Sequence, residues 1–206
     1  MVRSKKERRS NKMRWMFLAT AALAIVGLPV HAQTVHEVPL AGVALISLNK
    51  DGRVSSCGVR VVGVQALGSR GKVFDTSIYL SEKGIAAGQI TGSTVESLAP
   101  GAKQSDVPVF GGWFRAVGQP ATRPKDGFKN GASPGTKAFI TDFEPALHFV
   151  NDAVSRKPVQ IGVSWSEGAD TVYTGPVKIE EGQAKQIYGC LHELTANMTR
   201  DTTRGQ

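Results

Sequence analysis

Apolar residues from position 38 onward recur at every second position in short runs separated by polar breaks. VPLAGVALISLN (38–49) alternates weakly and then meets Lys50-Asp51-Gly52. An Asp-Gly step between apolar runs predicts a hairpin. In RVSSCGVRVVGVQ (53–65) a strand puts Ser55, Cys57, Val59 and Val61 on one face, and Ser56, Gly58, Arg60, Val62 and Val64 on the other. The loop Gly68-Ser69-Arg70-Gly71 leads into VFDTSIYLS (73–81), where Phe74, Thr76, Ile78 and Leu80 share a face. After a turn at Glu82-Lys83-Gly84, the glycines of IAAGQITGS (85–93) predict a strained or bulged strand. Residues 97–109 read as loop and FGGWFRAVG (110–118) as a strand. Residues 120–135 carry Pro, Gly, Asn and Lys without periodicity. A loop that long tends to be functional or mobile.

The period then changes. TDFEPALHFVNDAV (141–154) offers Thr141 or Asp142 as N-cap, with Glu144 and Pro145 in the first turn. Phe143, Ala146, Leu147, Val150 and Val154 repeat at helical spacing, and the helix should end before Pro158. PVQIGVSWSE, a turn at Gly168-Ala169-Asp170 and TVYTGPVKI read as a second hairpin, with Val159, Ile161, Val163 and Trp165 on one face. EEGQAKQIYGCLHELTANM (180–198) closes the chain as a helix with Ala184, Ile187, Tyr188, Leu191, Leu194 and Met198 as its apolar stripe. These elements predict an α+β domain over 33–198, built on a mainly antiparallel sheet of about six to seven strands. Both helices fall in the C-terminal half, and 199–206 reads as a polar, frayed tail.

The first 32 residues belong to a different pattern. Arg3, Lys5, Lys6, Arg8, Arg9, Lys12 and Arg14 precede an apolar run from Trp15 to Val30, then His31-Ala32. A basic head, a short apolar middle and small residues at the end predict a signal peptide cut after Ala32. The run is 16 residues long, below the ~18 to 20 that span a bilayer. No stable membrane span is therefore expected after cleavage, and the mature chain is placed in the periplasm or outside the cell. Removing the leader changes the charge. The whole chain is +8, but the leader holds seven of the 25 basic and one of the 17 acidic residues, leaving 18 against 16, or +2. Without a basic patch, nucleic acid is not an expected partner.

Cys57 and Cys190 are the chain's two cysteines, and an exporting compartment is oxidising, so they are expected to form a disulfide. The loop between them is long enough for a crosslink to contribute at most about 4 to 5 kcal/mol in the chain-entropy model. Cys190 stands two residues before His192, but side chains two apart on a helix diverge, so no Cys-His dyad is formed there. Glu144, His148 and Asp152 share one helical stripe, which reads as a solvated face rather than a metal site. Ser47 to Gly58 faintly resembles a calcium loop but lacks its first acid and its closing glutamate. GSRGK (68–72) lacks phosphate-loop spacing. Asn197-Met198-Thr199 matches a glycosylation sequon.

No catalytic residue, cofactor or metal ligand is expected. The function expected is that of an exported, non-catalytic cell-envelope protein that binds another protein or an envelope component, with its oligomeric state left open. Its rivals are a periplasmic inhibitor or immunity-type protein that blocks a hydrolase, and an enzyme whose acids and histidines (His36, His148, His192) converge from distant segments. Trp113 and Phe114 are adjacent, so a strand points them to opposite faces. Phe114 is taken as the exposed one. With Arg115, Arg123, Lys125 and Lys129 it makes the candidate partner surface. Trp165 and Tyr173 read as core or cross-strand neighbours.

Overall fold

The computed structural model describes residues 34–204, with side chains to Met198, so the expected leader lies outside the described residues. Eleven strands and two helices follow in order. The strands are β1 (Val35–Glu37), β2 (Leu40–Leu48), β3 (Val54–Leu67), β4 (Arg70–Ser81), β5 (Ala86–Val95), β6 (Gln104–Val107), β7 (Gly111–Ala116), β8 (Lys129–Asn130) and β9 (Lys137–Thr141). Helix α1 (Phe143–Val154), the hairpin β10 (Pro158–Ser166) and β11 (Ala169–Lys178), and helix α2 (Glu181–Arg204) complete the chain. The expected α+β class, its mainly antiparallel sheet and its two C-terminal helices are all present.

The sheet is larger than expected because short strands without alternation join it. β6 adds to β5 inside the expected 97–109 loop, and β8 and β9 pair within 129–141. The path runs β7-β10-β11-β2-β3-β4-β5-β9-β8, with β1 on β11 and β6 on β5. Two pairings are parallel: β11 with β1 (Val35↔Val172) and β11 with β2 (Val177↔Leu40). The Asp51-Gly52 hairpin forms as expected, its turn held by Asn49 Oδ1, which accepts from the N–H groups of Asp51 (3.0 Å) and Arg53 (2.9 Å). That local use of Asn49 accounts for the calcium-loop resemblance.

The sheet curls until its ends meet. Phe114 on β7 stacks on Phe139 of β9 with centroids 5.7 Å apart, although these strands lie near opposite ends of the path. Residues 122–125 close the remaining gap. Phe114 N–H donates to Thr122 Oγ1 and Thr122 N–H to Phe114 O, both at 2.8 Å. On the other side Arg123 N–H donates to Thr141 Oγ1 (3.1 Å) and Lys125 N–H to Ile140 O (2.9 Å). Part of the expected free loop is therefore a seam between two strands.

Phe74, Ile78, Ile90, Phe114, Phe139, Ile161 and Tyr173 fill the concave side. α1 adds Ala146, Phe149, Val150, Ala153 and Val154, an unbroken i, i+3, i+4, i+7, i+8 stripe. Phe143 and Leu147, expected on that stripe, are only partly buried, and Phe149 takes the central place 5.3 Å from Phe114. α2 contributes Ile187, Cys190, Leu191 and Leu194, while Tyr188 is exposed and shares a hydrogen bond with Ser155. Cys57 and Cys190 are joined as expected, tying α2 to β3. α2 continues to Arg204, past the point where a frayed tail was expected. Residues 199–204 are polar but contain no Gly or Pro to stop a helix.

β5 is not bulged. Its pairing with β4 runs unbroken from Gly71↔Val95 to Leu80↔Ala86. Its glycines instead make room for rings: a Cβ on Gly88 would meet Phe139 at 2.5 Å and Phe114 at 2.8 Å. Glycine there serves the core rather than a kink.

Candidate functional site

Strand alternation that buries Val59, Phe74, Ile78 and Ile90 on the concave side must present the intervening residues on the convex side. The register aligns them in rows. Val43, Arg60, Ser77, Gln89, Ala138 and Lys129 cross β2, β3, β4, β5, β9 and β8 in one row. Leu45, Gly58, Tyr79, Ala87 and Ile140 form the next. Among the described residues neither helix lines the lobes on this face, and the stretch 126–136 rises beside it as a wall.

Two adjoining lobes result. The first, about 210 Å³, is mainly apolar and lined by Tyr79, Ala87, Ala138, Phe139 and Ile140, with Asp126 and Lys129 also on its walls. The second, about 440 Å³, is polar and lined by Arg60, Asp75, Ser77, Thr91, Asp106 and Ser133. Tyr79 and Gln89 line both, so the lobes form one cleft with an aromatic ring at the junction.

Charge in the polar lobe is organised by Arg60 and Asp75, diagonal neighbours on β3 and β4. Arg60 Nε donates to both carboxylate oxygens (2.8 and 3.1 Å), and Nη2 donates to Oδ2 as well. The hydrogen bond to Asp75, and then that residue's charge, push the Arg60 guanidinium above its ordinary pKa. The pair fixes the orientation of the guanidinium, a more specific arrangement than a point charge. Beside it, the Thr91 and Thr136 hydroxyls share a hydrogen bond of 2.9 Å that pins the wall to the floor.

The expected partner surface does not form one patch. Phe114 is fully buried, a correction to its expected exposure. The curled sheet places it between Phe139 and Phe149, and its neighbour Trp113 takes the outward position. Trp113 donates from Nε1 to Asp170 (2.9 Å), and Arg115 lies 5.0 Å over its ring while donating to Gln160 (2.6 Å). Arg123 and Lys125 belong to the seam, Lys125 paired with Asp142 at 2.9 Å. Of the five residues, Lys129 reaches the cleft.

The cleft residues were open to a sequence reading in one respect. Alternation that buries Phe74, Thr76, Ile78 and Leu80 leaves Asp75, Ser77 and Tyr79 together on the other face. What the sequence did not reveal is that β5 and β9 continue that face and that 126–136 walls it.

The histidines are dispersed. His148 sits exposed, 3.8 Å from Glu144, and His192 is exposed on α2. Among the described residues no group of three or more His, Cys, Asp or Glu side chains gathers around a common point. His36 joins a second polar cluster at one end of the core. Trp165 Nε1 donates to Tyr173 OH (2.9 Å), Tyr173 donates to Gln65 (3.0 Å), and Gln65 Nε2 reaches the His36 ring at 3.3 Å. Trp165 and Tyr173 are thus the cross-strand neighbours expected. Burial raises the Tyr173 pKa above its usual value, opposed by the hydrogen bonds from Trp165 and Thr171.

No known protein family, curated protein or solved structure matches this chain. No helix among the described residues is long and apolar enough to cross a membrane.

Proposed function

We propose that this is an exported, non-catalytic binding protein of the cell envelope, and that the convex cleft is where it engages its partner or envelope component. The observation that carries the reading is the cleft itself. It is a preformed, walled concavity combining an apolar lobe with a few fixed polar groups, the usual make-up of a recognition site. Export draws support from the basic-apolar leader and from the disulfide, which persists in oxidising compartments. The non-catalytic part draws support from the scattered histidines and from the use of both cysteines in a crosslink.

Retention on washed envelope fractions tests the binding role. Tyr79→Ala and Lys129→Ala should each reduce retention while leaving the melting temperature within about 2 °C, because both side chains are at least partly exposed. Unchanged retention in both variants would remove the cleft from the proposal. A mass measured on the non-reduced protein recovered from outside the cytoplasm tests export, the expected chain starting at Gln33. A chain starting at Met1, found in the cytoplasm, would sink that half.

The inhibitor reading keeps one observation in its favour. A blocking loop must be rigid, and 122–125 is held by backbone hydrogen bonds to both β7 and β9. Inhibition of a hydrolase by the purified chain, lost on replacing residues 126–129, would favour it over envelope binding.

A further inference from the structure

We infer that the cleft binds a neutral saccharide carrying an acetamido group. This rests on the reading of the cleft as a binding site and names the chemistry of its occupant. Three observations on the convex face converge.

Tyr79 stands half-buried where the two lobes join. The face of an aromatic ring is electron-rich, and the C–H groups on one side of a pyranose carry the matching partial positive charge. A sugar ring laid on Tyr79 would extend into both lobes.

The polar lobe offers groups suited to hydroxyls rather than to a net charge. Arg60 is already neutralised by Asp75, and the remaining lining adds Asp106 without a further cation. An anionic ligand would face uncompensated negative charge there, whereas a hydroxyl can donate to a carboxylate and accept from an amide or guanidinium. Among the described residues, the side-chain polar atoms of Ser77, Tyr79, Gln89 and Asp106 have no protein hydrogen-bond partner, while Arg60 and Thr91 are held in place by theirs. The floor thus pairs fixed groups with free ones. Its volume, about 440 Å³, lies inside the range of about 300–1,000 Å³ for small-molecule sites.

The apolar lobe accounts for the acetamido group. Ala87, Ala138 and Ile140 border a small, mainly apolar space directly beside Tyr79. An acetamido methyl fits such a space, and its amide carbonyl lies at the border, where Lys129 and Gln89 carry N–H groups. A plain hydroxyl in the same position would leave the apolar space beside Ala87, Ala138 and Ile140 unfilled, which disfavours unsubstituted sugars.

The test titrates the purified mature chain with the trisaccharide of N-acetylglucosamine and, in parallel, with the matching glucose trisaccharide, following backbone amide shifts by NMR. The acetylated sugar should produce saturable shifts centred on Ser77, Tyr79, Gln89 and Ala138. The glucose trimer should bind about tenfold or more weakly, and Tyr79→Ala should weaken the acetylated sugar to a similar extent. Tyr79→Phe, which keeps the platform, should retain most of the affinity, so a loss caused by misfolding is separated from loss of the ring. Equal binding of the two trisaccharides would overturn the acetamido assignment. Absence of saturable shifts with either sugar at about 10 mM would overturn the inference as a whole. If Tyr79→Ala still reduced envelope retention in that case, the cleft would remain a binding site with a protein occupant. If retention were also unchanged, the binding reading would fall with it.

Discussion

Gly58 lies opposite Tyr79 on the convex face, and a Cβ there would run into the Ile78 carbonyl oxygen. The obstacle is backbone, which cannot swing aside as a flexible side chain would. Gly58→Ala should therefore lower stability by about 1–3 kcal/mol, seen as an earlier urea midpoint, and displace the strand that carries Tyr79. An unchanged midpoint would show that the β3–β4 pairing yields at no cost. Tyr173 supplies a second prediction at this scale. Its phenol is more acidic in the unfolded chain, near its usual pKa of 10.0, than in the fold, where burial holds the proton on. Unfolding in alkali thus releases a proton that folding retains, and the contribution is complete below about pH 10 and declines as pH rises through the folded value. Above about pH 10 the wild type should lose urea resistance more steeply than Tyr173→Phe. Parallel curves would assign alkaline unfolding to other groups. The pair Trp113 and Phe114 marks where residue-level reading stops. Alternation shows that they face opposite ways, but which one enters the core depends on the curl that brings β9 to β7, a property of distant segments.

Elements with strong periodicity were legible: the Asp51-Gly52 hairpin, β3 and β4, the β10–β11 hairpin and both helices carry their own period and punctuation. β6, β8 and β9 were not. They are two to five residues long, too short to display alternation, and they exist because β5 and the 122–136 segment offer them partners. The seam is the same kind of feature. Thr122→Val preserves shape but removes the acceptor for the buried Phe114 N–H, which should cost about 1–3 kcal/mol and speed hydrogen exchange at that amide. If Phe114 stays as protected as its β7 neighbours, residues 122–125 do not close the sheet. The disulfide anchors the last element. Cys190→Ser together with Cys57→Ser should destabilise the chain by about 2–5 kcal/mol, with α2 the first helix to lose exchange protection. Equal stability by urea melts would mean that the apolar face of α2 suffices alone.

At the scale of the whole molecule, the fold class was legible because patterning decides which layers can form. The site was not, since its floor is drawn from β2, β3, β4, β5 and β9 and its wall from residues 126–136. The order of strands also has a consequence in time. β1 and β2, the first strands of the described chain, lie against β11, the last. β7, midway along, pairs in the sheet only with β10. A ribosome delivers these partners in sequence, so the central sheet stays open on one side until residues 158–178 have emerged. Pairings this remote slow folding. A chain ending at residue 157, which retains β1 to β9 and α1, should remain unfolded and protease-sensitive, whereas a protected fragment would show that folding begins early. Until β10 and β11 emerge, β2 lacks one sheet neighbour and β7 its sheet partner, so both are open edges with which another strand could pair.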